Sequence, residues 1–173
     1  EPGDTEQIAW NYVGPTGPVD ITVIEKETVS AEFLGGSALP IVDHTVLTIP
    51  LDVTSTIEIS SLSVGLRFNH TWDADLLIEV VSPSGQTVQL ANHVGQSGDN
   101  FGSGEESCSG ELTIFSDTAE TSILYGTAPF AGSYKPQQLL SAFSGENPAG
   151  QWQIKINDQW TYDQGELFCA QLS

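Results

Sequence analysis

The sequence predicts an all-β fold, a sandwich or barrel of short antiparallel strands, and three observations carry that prediction. Apolar and polar residues alternate with a period of two. Each alternating run is short and bounded by Gly, Pro, Asn, Asp or Ser. No amphipathic helical pattern longer than about two turns interrupts them. A hydrophobic content of 39% excludes wholesale disorder, and 173 residues suffice for one domain with a sizeable core.

Taken in chain order, residues 1–44 are rich in breakers: Pro2, Gly14, Pro15, Gly17, Pro18, Gly35, Gly36 and Pro40. A strand-like island at residues 19–24 lies within them. This region reads as a linker or additional edge strands, and residues 45–173 as the main domain. A first strand is expected at Ile57-Glu58-Ile59. Leu62, Val64, Leu66 and Phe68 then fall on one face of a second, with Ser61, Ser63, Gly65 and Arg67 on the other. Leu76, Ile78 and Val80 repeat the pattern, as do Val88 with Leu90 and Trp152 with Ile154 and Ile156. Ser82-Pro83-Ser84-Gly85 reads as a hairpin corner, because proline presets the second turn position and glycine suits the fourth. Residues 95–104 form a long Gly-rich loop of a kind that is usually functional inside a compact domain.

Charge narrows the function. Against 23 Asp and Glu stand four Lys and Arg, a net charge of −19. Such a surface repels phosphate backbones and anionic lipid, so neither nucleic acid nor membrane is an expected partner. Divalent cations are favoured, and a saline or calcium-rich exterior would offset the self-repulsion. Cys108 and Cys169, the only cysteines, show no zinc spacing and fit a secreted protein with one disulfide, two reduced thiols being the alternative. No apolar stretch is long enough to span a bilayer, and the acidic N-terminus is unlike a signal region. The expectation is a mature, monomeric fragment of an exported precursor.

Four chemistries are open to these residues. His44, His70 and His93 lie far apart and no Gly-x-Ser-x-Gly elbow is present, so no catalytic residue is expected; His70 is read as hydrogen-bonding locally. Glu79, Glu111 and Glu166 could pair for glycoside hydrolysis, but among so many acids such pairs arise by chance. Calcium binding is better supported, since it needs six to eight oxygens gathered on loops. Asp73 and Asp75, on an extended backbone, would project the same way about 7 Å apart. Asp99 with Asn100, Asp117, Asp158 beside Asn157, and Asp163 complete the set, with Asp73, Asp75, Asp99, Asp117, Asp158 and Asp163 as the expected ligands. Finally, Trp152 is in phase with core residues, whereas Trp72 and Trp160 sit beside carboxylate-bearing loops and could stack on a polysaccharide or other ligand. Trp10 lies in the breaker-rich region.

From Thr45 onward the chain resembles the P domain, or Homo B domain, of subtilisin-like proprotein convertases and secreted bacterial proteases. The resemblance rests on Ile49-Pro50, Ile57-Glu58-Ile59, His70-Thr71 with Asp75-Leu76, and Ser82-Pro83-Ser84-Gly85-Gln86-Thr87. It continues through Phe115-Ser116-Asp117-Thr118-Ala119, Phe130-Ala131-Gly132-Ser133-Tyr134-Lys135-Pro136, Leu139-Leu140-Ser141-Ala142-Phe143-Ser144-Gly145, Gly150-Gln151-Trp152 and Gly165-Glu166-Leu167. It implies a jelly-roll β-sandwich similar to galactose-binding domains, without catalytic residues. Such a domain stabilises or helps fold a covalently linked protease catalytic domain, and its bacterial versions often bind calcium. By the same resemblance Asp75 and Asp117 match motif aspartates and Asp158 an acidic position, while Ser116 replaces a motif aspartate. Residues 1–44 lie outside the resemblance.

Overall fold

The computed structural model describes residues 27–33 and 38–173. The island at residues 19–24 and Trp10 lie outside the described residues. Ten strands, β1 (Ala31–Glu32), β2 (Leu39–Ile41), β3 (Val46–Val53), β4 (Ser63–His70), β5 (Leu76–Val81), β6 (Thr87–Asn92), β7 (Thr113–Ser116), β8 (Gly132–Tyr134), β9 (Gly150–Asp158) and β10 (Gly165–Leu172), form two sheets. One sheet runs β3-β9-β5-β6 and the other β1-β10-β4-β7-β8, with β2 also on β10; every pairing is antiparallel except β7 with β8. Three single 3₁₀ turns are the helical elements among the described residues. The all-β sandwich is therefore as expected.

The alternation does what a two-sheet core demands. Ile49, Leu51, Ile78, Val80, Leu90, Trp152, Ile154 and Ile156 point inward from one sheet to meet Val64, Leu66, Phe68, Phe115, Leu167 and Ala170 of the other. Trp152 is core, its ring edge-on to Phe143 at 5.1 Å and its indole N–H donating to the Pro148 carbonyl at 2.9 Å. The hairpin corner forms as read, with Gly85 N–H donating to the Ser82 carbonyl and φ of 90° at Gly85.

Two elements depart from the alternation in the sequence. Ile57-Glu58-Ile59 is not a strand: Ile59 exchanges backbone hydrogen bonds with Gly145 and Glu146, and no neighbouring strand extends to pair with it. In β4 the alternation understates burial, because Gly65 and Arg67 on the nominally polar face are buried too. The Gly-rich loop and its continuation cover that face. Phe101, stacked on Phe68 at 4.7 Å, pins the loop to the core, and the Arg67 guanidinium donates to the Gly104 carbonyl and lies over the Phe168 ring. Burial pulls the Arg67 pKa down, partly offset by Glu106. A disulfide between Cys108 and Cys169 ties the same segment to β10 across 61 positions, which the chain-entropy model values at about 4 kcal/mol.

Strand directions give the sandwich two distinct ends. β4 and β9 finish, and β5 and β10 begin, at the end holding His70, Asp75 and Asp158. The opposite end holds Ser63, Val81 and Gly150, along with Trp152.

Candidate functional site

Four loops meet at the first end, and their side chains knit them together. Thr71 Oγ1 donates to Asp163 Oδ1 at 2.7 Å, and the Tyr162 amide donates to Asp43 Oδ2 at 3.0 Å. Backbone links run from Gln159 to the Asp75 carbonyl at 3.0 Å and from Asp158 to the Thr45 carbonyl at 3.1 Å. At the centre His70 and Asp158 are both fully buried, with Nε2 and Oδ2 3.2 Å apart. Asp158 Oδ1 also accepts from the Trp160 amide, while His70 Nδ1 lies 3.0 Å from the Trp72 carbonyl. Both imidazole nitrogens are thus occupied, one locally and one across to the end of β9. The local bond expected of His70 forms, and the bond to Asp158, 88 positions away, was not legible.

Asp73 and Asp75 do not lie on a strand. Asp73–Asp75 form a 3₁₀ turn, and the strand begins only at Leu76. The reason lies in the backbone: the amides of Asp73 and Ala74 donate to the carbonyls of Gly98 and Gln96, so the Gly-rich loop captures them before the sheet can. At about 120° per residue, positions two apart no longer share a face. Asp73 and Asp75 accordingly enter different surroundings.

Asp75 faces Asp158 and Asp163. Burial, then those two carboxylates, raise its pKa, and His70 and His93 partly compensate. Asp73 is fully buried beneath the loop. Gly95, with φ of 82°, crosses so close that a Cβ there would meet Asp73 Cβ at 3.0 Å, which only glycine avoids. Neither Asp73 carboxylate oxygen has a hydrogen-bond partner. Burial pushes its pKa up to about 8; the nearby Asn100 amide, which itself donates to the His70 carbonyl, offsets part of this, and Asp99 adds to it. Asn92 Oδ1, at the end of β6 where the same loop starts, is also buried and unpartnered.

Asp117 belongs elsewhere. Its two oxygens accept from the amides of Leu140 and Ser141 at 2.8 and 2.7 Å, capping the 3₁₀ turn Leu140–Phe143. It follows Ser116, which pairs with Ser63 at the far end of β4, about 24 Å along the strand from His70. The six expected ligands therefore divide: Asp73 with Asp99, Asp75 with Asp158 and Asp163, and Asp117 alone. Among the described residues no group of three or more His, Cys, Asp or Glu is arranged to hold a metal. A hard cation at this end would take one or two carboxylates and complete its shell with amide and backbone carbonyl oxygens and water. The surroundings of Asp73 fit that description, since two buried carboxyl oxygens without a donor lie under a carbonyl-bearing loop.

The site is thus a carboxylate-bearing loop end of an all-β sandwich, with buried His70 held by Asp158 and the Trp72 carbonyl. The chain belongs to the proprotein convertase P-domain family, whose profile matches residues 59–173. Among solved structures it is similar to a serine protease of Aeromonas sobria, at 16% identity with a TM-score of 0.48. It is also similar to that organism's serine protease in complex with the chaperone ORF2, at 19% identity with a TM-score of 0.46. Each alignment covers 83% of this chain and 25% of the other, so the chain spans about a quarter of the length of those proteins. No curated protein matches it.

Sequence reasoning missed Asp43, Asn92 and Tyr162. Asp43 and Tyr162 are ordinary turn residues until the fold joins them, and Asn92 reads simply as a strand end.

Proposed function

We propose that this chain is the noncatalytic P domain of a secreted subtilisin-like serine protease, and that a calcium ion at Asp73 helps it to stabilise or fold the attached catalytic domain. The family match supports the first part. The disulfide supports secretion, because such bonds persist in oxidising compartments. The observation that carries the calcium reading is Asp73, whose two buried oxygens meet no donor. An unpaired buried carboxylate costs several kcal/mol unless it is protonated or neutralised. A calcium ion would supply the compensating charge, with Asp73 and neighbouring Asp99 as its carboxylates and Asn92 as an amide ligand. Asp99 lies on the Gly-rich loop and Asp73 on the turn beneath it, so the ion would fasten that loop to the β4–β5 connection.

The accessory role is tested in the whole precursor. Secreting it with and without residues 45–173 should give far less active protease, or a much shorter active half-life, when the segment is missing. Equal yield and equal half-life would contradict the role.

A further inference from the structure

Three large aromatic side chains stand in solvent on the joined loops: Trp72 at 43%, Trp160 at 59% and Tyr162 at 95% of full exposure. Isolated exposed apolar residues are commonplace, but three rings on loops tied to one another are not. Tyr162 adds a second observation. Its φ of 85° lies in the left-handed region, which a bulky residue seldom adopts, and Asp43 holds its amide there. With the ring almost wholly exposed, the fold gains no packing in return. Backbone strain without a packing gain marks a residue presented for contact.

The charge around the rings has one sign. Asp43 and Asp163 anchor the loops that carry them, each through one carboxylate oxygen. The described cations are elsewhere: Arg67 is buried, Lys135 follows β8, and Lys155 lies mid-strand opposite Thr48 and Glu79. On a chain of net charge −19, exposed rings on loops anchored by Asp43 and Asp163 are complementary to a cation that can also stack. Arginine and lysine do this, the guanidinium best, over Trp or Tyr faces and against carboxylates.

We propose that this loop end is a docking surface for a basic, arginine- or lysine-bearing segment of a polypeptide. It does not depend on calcium at Asp73. The test titrates the chain, at one fixed calcium concentration, with short peptides alternating Ser with Arg, Lys or Glu and with cello- and chito-oligosaccharides, following tryptophan fluorescence and calorimetry. The Arg peptide should bind more tightly than the Lys peptide, and the Glu peptide should not bind. Trp160→Ala and Tyr162→Ala should each weaken binding about tenfold. Tyr125→Ala, at another exposed ring beside β8, should leave it unchanged. Unaltered binding by the two loop variants, an equal loss with Tyr125→Ala, or oligosaccharide binding abolished by the loop variants would each overturn the proposal. Melting curves report whether the variants fold; if Tyr162→Ala does not, Trp160→Ala decides.

Discussion

The two ends of β9 treat burial in opposite ways. At one, Trp152 packs edge-on against Phe143 and its only polar atom is satisfied by Pro148. Nearby Asp117 spends both oxygens on backbone amides. At the other, Asp158 is buried against His70, and beneath the adjacent loop Asp73 is buried against nothing that donates to it. The first end is complete by itself. The second holds a buried carboxyl whose two oxygens meet no donor, and natural cores rarely leave such groups unexplained. The difference teaches that one end satisfies its buried polar groups within the chain and the other leaves Asp73 without a donor.

Substitutions can break or sharpen that contrast. The largest effect is expected at the complete end: Trp152→Ala should cost about 4 kcal/mol by chemical denaturation, equally with calcium or chelator. Asp117→Ala, which frees two backbone amides, should cost about 2 to 3 kcal/mol, again without calcium dependence. A loss that grows with calcium would place Asp117 in a metal site after all. At the incomplete end the signature is pH. The folded Asp73 carboxyl has its pKa raised from 3.8 to about 8 by burial, so the folded state holds that proton more tightly than the unfolded chain. Its stabilising contribution is complete below about pH 4 and is lost as pH rises towards 8. In chelator, the stability difference between the native chain and Asp73→Asn should therefore change by up to about 1.4 kcal/mol per pH unit across that window. A flat difference would show that Asp73 is solvated or paired in solution.

Much of the fold was legible because two-sheet packing writes itself into sequence at period two. Leu76, Ile78 and Val80, or Trp152, Ile154 and Ile156, announce both their strand and their inward face. Ile57 and Ile59 show the limit: alternation records burial, but a strand also needs an edge to pair with. The site was less legible. Asp73 and Asp75 looked like a same-face pair because their geometry was read from a strand that the loop at Gly95 to Gly98 prevents from starting there. Asp117 looked like the other aspartates because only the tertiary fold brings the Leu140 and Ser141 amides to it. Tyr162 and Asp43 could not be joined at all, since 119 positions separate them. The exposed tryptophans were anticipated from their carboxylate-bearing loops, while the ring beside them that carries the strain was not.

The central claim is that the incomplete end is completed by a cation at Asp73. It is tested most directly by melting the native chain and Asp73→Asn at constant ionic strength, in chelator and in calcium at a hundredfold excess over its dissociation constant. Calcium should stabilise the native chain by about 2.7 kcal/mol and Asp73→Asn by little or nothing. Identical melts of the native chain in calcium and chelator, or an equal calcium gain in Asp73→Asn, would contradict it.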